Sequence, residues 1–540
     1  MKEWGGRLPV ALVFPEPAEH GLSTLGWQVV YRLLASREDL AVERFFWDPI
    51  PPRPRSVDSG RDLGLFPLVA FSLNFEGDFP AVLRMLGDAG IALKAEDRPE
   101  WPLVLAGGPL TFLNPFPVLP ALDCLFVGEA EAGLSAMVDR VAAAWIKGEE
   151  KATALDAIAH LPGVLVPGKS RLPVRRQVCV EGDLILRNPG FSCFVSSEAQ
   201  FRDMLLLEVN RGCPYGCRFC AAGSIYKPPR HAEMARLQEV VRLCAPHKVG
   251  LVGTALTDWP DLLPFLRWLE ERKIKFSLSS LRADGLDDEL LEFLRRTGTR
   301  SVTLALEGAS ARLRSAMNKH FSEEAFLDAV RRISRLQFNT LKLYMITGWP
   351  DEKEEDWVEF EEFLGQIDEA RRQGQGMRRK GVDLISLSAS CLVPKAWTPL
   401  QWAGVHDEDW IRRAMKRLKT AAARFRGMRF TGENPGQAQV QAFLARSGEE
   451  IFPFLERAAQ VGLAAASREC AATIREALAK NPDKDTVFPW ERLDVGVSRK
   501  FLYAEWKKYG HALLTPPCPD SGCQGCRLCG MDAFLAGSPR

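Results

Sequence analysis

The chain has 540 residues, enough for about three or four domains. Its 46% apolar and 26% charged content match an ordinary soluble globular protein, and a net charge of +1 gives no global electrostatic case for nucleic acid or an anionic membrane. No apolar run reaches the ~18 residues of a membrane span, the N-terminus MKEWGGRLPVALVFP lacks a signal-peptide layout, and the cysteines cluster at metal-ligand spacing, so a reducing cytoplasm is expected rather than a disulfide scaffold.

Residues 1–165 read as alternating strand and helix. Val10 to Phe14 (VALVF), Leu68 to Leu73 (LVAFSL), Pro102 to Ala106 and Leu122 to Val127 are short apolar runs suited to buried parallel strands, with a helix around Phe79 to Ala89. The third run ends in Gly107-Gly108-Pro109 and the fourth in Gly128-Glu129-Ala130-Glu131. In open parallel sheets ligands bind off the strand carboxyl ends, so Gly107, Gly108, Gly128 and Glu129 form a candidate ligand edge; ordinary turn glycine is the alternative. Residues 166–200 are a polar, β-prone connector, expected to form a hairpin about Glu181-Gly182-Asp183.

Next comes LLLEVNRGCPYGCRFCAAGSIYKPPR, with Cys213, Cys217 and Cys220 at C-x3-C-x2-C spacing. Thiolates are preferred ligands of iron–sulfur clusters, and three of them leave one iron of a four-iron cluster open. A zinc knuckle would want a fourth Cys or His nearby, and His231 lies well beyond the loop. Phe219 is placed to cover the site. The α/β alternation continues over residues 201–402, with strands expected at Met204 to Leu207, Lys248 to Val252, Lys275 to Ser279, Ser301 to Leu306, Leu341 to Ile346 and Leu384 to Ala389. Six such units make a partial barrel with functional groups at the strand carboxyl ends. Lys342 and Tyr344 alternate on one face of the fifth strand, toward the barrel interior. Residues 403–510 read as helical. The tail, 511–540, carries Cys518, Cys523, Cys526 and Cys529, four thiols that can saturate either a second [4Fe–4S] cluster or a zinc ion.

The cysteine loop, the segment ALEGASARLR and the stretch LVPKAWTPLQW resemble the radical S-adenosylmethionine (SAM) superfamily, and GGP and GEAE resemble a branch with a cobalamin-binding-like N-terminal domain. The fold class implied is α/β: a Rossmann-like (cobalamin-binding-like) domain, a partial (β/α)6 TIM barrel of radical SAM type, and a helical C-terminal region with a Cys-rich tail. The resemblance implies a [4Fe–4S] cluster on Cys213, Cys217 and Cys220, with SAM chelating the open iron. It assigns Gly253, Thr254, Ser280, Arg282, Glu307 and Arg312 (or Arg314) to SAM: backbone contact at Gly253-Thr254, hydrogen bonds or charge pairing from Ser280 and the arginines, and ribose hydroxyls on Glu307. Cobalamin is the third cofactor to consider. The D-x-H-x-x-G motif whose His ligates cobalt is absent, Ala18 and Ser23 standing in place of its Asp and Gly, so any cobalamin would lack a protein His ligand. His20 is then expected to bond backbone.

The implied reaction is reductive cleavage of SAM to methionine and a 5′-deoxyadenosyl radical that abstracts hydrogen from an unactivated carbon, with methyl transfer if cobalamin is bound. The alternatives are a methylthiotransferase acting on RNA or protein, and a non-catalytic iron–sulfur or electron-transfer protein. The former class carries three cluster cysteines in its N-terminal domain, where this chain has only Cys124. The substrate is open, the expected partner is an electron donor of the flavodoxin or ferredoxin kind, and there is neither a membrane nor a clear nucleic-acid signal.

Overall fold

The computed structural model describes residues 2–48, 53–180, 185–186, 188–279, 281–377, 380–519 and 522–537. The N-terminal sheet holds β1 (Leu8–Phe14), β2 (Leu40–Phe46), β3 (Leu68–Ser72), β4 (Leu103–Gly107), β5 (Cys124–Phe126) and β6 (Val164–Leu165), in the order β2-β1-β3-β4-β5-β6. All neighbours are parallel except β5 and β6. Both faces are buried: Leu8, Val10 and Leu12 of β1 enter one core, Ala11 and Val13 another. That is why the run is apolar without alternation. The strand β2 escapes the pattern because Glu43 and Arg44 interrupt it. Glu43 is nonetheless buried and pairs with Arg61 at 2.9 Å, and Arg44 pairs with Asp58 at 2.6 Å.

The connector departs from the expected hairpin. Its turn, Glu181-Gly182-Asp183, lies outside the described residues, and the flanking segments pair elsewhere: Val174–Arg175 with Leu493–Asp494, and Ile185–Leu186 with Arg230–Ala232. Polar, β-prone segments of this length take whatever edge is free.

The second sheet curves through β7 (Leu205–Glu208), β8 (Lys248–Val252), β9 (Lys275–Leu278), β10 (Ser301–Glu307), β11 (Thr340–Thr347), β12 (Leu384–Cys391) and β13 (Met428–Gly432). Parallel ladders join β7 to β9 and β10 to β13, and a parallel bridge from Leu281 to Leu304 links the two groups. The short, exposed β13 adds a seventh strand to the six expected. On β11, Leu341, Leu343 and Met345 enter the core under the helices while Lys342 and Tyr344 face the open interior. The two domains meet at strand carboxyl ends. Buried Glu129, just after β5, pairs with Arg230 at 2.5 Å and Arg211 at 3.0 Å. Lys395, beyond β12, pairs with buried Glu76 at 2.5 Å. Among the described residues no helix is long and apolar enough to cross a membrane.

Candidate functional site

Cys213, Cys217 and Cys220 stand on the loop between β7 and the short helix Ala222–Ile225. The loop is fixed from beneath. The Arg218 amide donates to the Met317 carbonyl at 2.9 Å and the Asn318 amide nitrogen to the Gly216 carbonyl at 3.1 Å. The Arg218 guanidinium is fully buried, pairs with Glu505 at 2.9 Å and donates to the Leu513 carbonyl at 2.8 Å. A rigid underside leaves the three sulfurs as the loop's free chemistry. Burial pushes the Cys213 thiol up to about 11 and Cys217 up to about 12, while Lys319 pulls Cys217 the other way. Cluster ligation takes thiolates, so loading this loop displaces protons.

Glu307 closes β10 beside this loop with φ +66°, where the β10–β11 register slips. A non-glycine residue there is strained by about 1–3 kcal/mol, and such strain clusters at functional sites. Burial raises its carboxyl, and the Lys319 ammonium, 3.4 Å away, opposes that. Arg282 lies with its guanidinium 3.6 Å over the Tyr215 ring, within the cysteine loop itself. The Thr254 hydroxyl donates to the Gly212 carbonyl, and Gly253 packs so closely on Asn210 that a Cβ would collide with it. Ser280 lies outside the described residues.

Arg312 is held by Asp356 at 2.5 Å and Arg314 by Glu323 and the Gly308 carbonyl. Phe219 packs edge-on against Trp349 at 5.4 Å. One expectation is corrected. His20 bonds the Glu16 carboxylate at 3.0 Å through Nδ1, not backbone. Cys391, beside the last motif, is a buried thiol pushed up to about 12 by burial, a packing residue.

A cavity of about 380 Å³ opens between the N-terminal sheet and the barrel, within the range of sites for organic cofactors. Gly107, Gly108, Gly128 and Glu129 line one wall, and Arg211, Gly253 and Thr254 line the other. Leu12, Leu68, Ala70 and Leu105 make an apolar floor. Gly108 and Gly128 have φ of +97° and +125°, and a Cβ on either would strike the backbone of Leu73 or Gln177, so close chain packing explains them. Gly107 differs: a Cβ there meets nothing within 4 Å. Glu129 is likewise structural. Burial opposes its charge, but Arg230, Arg211 and the Cys179 amide hold its carboxyl down to about 2.

The tail folds back onto the cysteine loop. The Cys518 amide donates to the Pro214 carbonyl at 2.8 Å, and the Thr515 amide to Asn318 at 2.7 Å. Lys227, only 7% exposed, donates to the Cys518 sulfur at 3.0 Å. A cavity of about 50 Å³ there is lined by Cys518, Cys523, Cys526 and Cys529 and also by Cys217 of the loop. Lys227, Arg218 and Asn318 were invisible in the sequence, because nothing local marks a lysine or arginine whose partner lies hundreds of residues away.

Comparison with known proteins gives matches along most of the chain. The family described as radical SAM proteins, N-terminal, matches residues 26–167, and the radical SAM superfamily matches residues 207–364. An uncharacterized protein of Methanocaldococcus jannaschii is 25% identical over 83% of this chain and 90% of its own length. The threonylcarbamoyladenosine tRNA methylthiotransferase of Aquifex aeolicus is 27% identical over 30% of this chain and 42% of its own. Among solved structures, a radical SAM methyltransferase from Kitasatospora setae aligns with a TM-score of 0.48 at 14% identity, over 70% of this chain and 72% of its own, a resemblance too distant to bear on activity.

Proposed function

The chain is a radical SAM enzyme, of a family that works with a [4Fe–4S] cluster and SAM, and on that premise we propose a cobalamin-dependent methylase with Cys213, Cys217 and Cys220 as ligands of the SAM-binding cluster. The observation that carries this reading is the cavity between the domains: apolar below, open above Gly107, and walled on its far side by Arg211, Gly253 and Thr254, which lead into and brace the cysteine loop. Its apolar floor suits the flat face of a corrin ring and its polar rim, Asn74, Asn210 and Arg211, suits the ring's amide side chains, with no protein nitrogen from His20, which is not among the residues lining it. When bound, the cluster supplies the electron that cleaves SAM, and cobalamin supplies the methyl group.

The chain's own residues have narrower tasks. The three thiolates fix the cluster with one iron open. Glu307, preset in its strained conformation, accepts the ribose hydroxyls of SAM, and Arg282, stacked on Tyr215, faces its carboxylate. The Glu129–Arg211–Arg230 pairs hold the domains together and keep water from the floor between them. A methylthiotransferase reading is favoured by partial matches to the Aquifex aeolicus enzyme and to two tRNA-2-methylthio-N(6)-dimethylallyladenosine synthases, each over about a third of this chain.

The test is the visible spectrum of protein purified anaerobically and incubated with cobalamin. We expect about one bound cobalamin per chain, lost in Gly107→Phe, whose ring fills the open space, with loop-cluster absorbance retained. In His20→Ala the spectrum and the cobalt signal should be unchanged. Wild-type protein that retains no cobalamin defeats the methylase reading; methylthiolated tRNA formed from SAM and added sulfide would replace it with the other.

A further inference from the structure

Three observations meet at the tail. Its thiols surround a void of about 50 Å³, and Cys217 reaches the same void from the loop. Zinc bound by four thiolates at ~2.3 Å leaves no room between them, whereas a four-iron cube occupies it. The Lys227 ammonium is buried against Cys518, and a buried cation needs an anion, which a cluster carried on four thiolates supplies. The Cys518 amide bonds the carbonyl of Pro214, whose chain neighbour is Cys213. Bonded atoms and that one hydrogen bond thus connect a tail sulfur to a loop sulfur.

We propose that Cys518, Cys523, Cys526 and Cys529 hold a second [4Fe–4S] cluster, and that this cluster passes single electrons to the first across the Cys518–Pro214–Cys213 contact. In each transfer the tail cluster is oxidised by one electron and the loop cluster reduced by one; no bond forms or breaks, and no proton moves. A low-potential one-electron protein donor, of the flavodoxin or ferredoxin class, then re-reduces the tail. Four thiolates saturate the tail cluster, so it does not bind SAM. The tail site stands on its own residues; only the transfer rests on the loop being a cluster site.

The full chain, reconstituted anaerobically with iron and sulfide, separates these claims. Wild type should hold about eight irons, and both Cys213→Ala/Cys217→Ala/Cys220→Ala and Cys523→Ser/Cys526→Ser about four. The triple variant should show a four-iron Mössbauer signal that SAM does not perturb; the double variant should show one that SAM does. Zinc or no metal in the triple variant overturns the second cluster. Should that variant not fold, wild type and double variant with equal iron overturn it independently. If the loop is not a cluster site, SAM perturbs neither signal, a different failure. For the transfer, the double variant's loop cluster should be reduced by reduced flavodoxin at least about tenfold more slowly, and by dithionite at the wild-type rate. An unchanged flavodoxin rate overturns the relay.

Discussion

At Glu307 the backbone does what only glycine does without strain, and the side chain is buried beside a cation. A residue kept there against its conformational preference is kept for its carboxylate. Glu307→Gly relieves that strain but also takes the carboxylate from mostly buried Lys319, so the two effects should offset to within about 1 kcal/mol while SAM cleavage is abolished; calorimetry and 5′-deoxyadenosine assay check the pair. The strain was unreadable in the sequence, which shows only that a Glu ends a strand. Glu129 is the reverse case, a carboxylate whose work is structural. Its folded value of about 2 lies below the ordinary 4.5, so its contribution is complete above that ordinary value and is lost as pH falls toward 2. Glu129→Gln leaves Arg230 buried without its counter-charge, at a cost of about 3–5 kcal/mol. Denaturant melts at pH 7 and pH 3.5 should show a smaller mutant-to-wild-type gap at the lower pH. At Lys227, replacement by Met removes a positive charge from the tail site. The reduction potential of the proposed tail cluster should fall by on the order of 50 mV, about a factor of ten in the redox equilibrium, in a redox titration.

Among the elements, those with buried faces were readable and those with paired charges or exposed edges were not. Strand β8, at Lys248–Val252, carries the bounds its apolar pattern implies. Strand β2 was hidden because a buried Glu43 and a half-buried Arg44 look like surface until Arg61 and Asp58 are seen beside them. Short β13 showed no apolar run, since most of its residues are exposed. The cysteine loop and the tail could each be picked out as candidate metal sites because their thiols are close in sequence; that the two are neighbours could not, because the contact from Cys518 to Pro214 is remote in sequence. Alternation on β11 yields a sharp test of the barrel face. Leu343→Ala should cost about 2–5 kcal/mol in urea melts, while Lys342→Ala, whose side chain faces the open interior, should stay within about 0.5 kcal/mol and change turnover instead.

Over the whole molecule, the tail is a structural member as well as the proposed metal site. Met531 and Phe534 pack into the core that also holds Phe71 and Trp490, and Arg175 lies 4.1 Å over the Phe534 ring. Truncation before Pro517 should thus lower the melting temperature, by about 1 °C for each kcal/mol lost in a chain this long, besides removing any metal the tail holds. An unaltered melting curve would mean the tail does not dock as described.

The seating of Arg218 bears on how the protein matures. Its guanidinium sits under the first cysteine loop and donates nearby to the Ala316 carbonyl, yet its carboxylate partner, Glu505, and the Leu513 carbonyl are nearly three hundred residues downstream. On the ribosome that loop emerges long before them, with a cation beneath it that has no counter-charge. The ion pair that braces the loop therefore closes only after synthesis is almost complete, and a chain terminated before Glu505 should hold its cysteine loop less firmly.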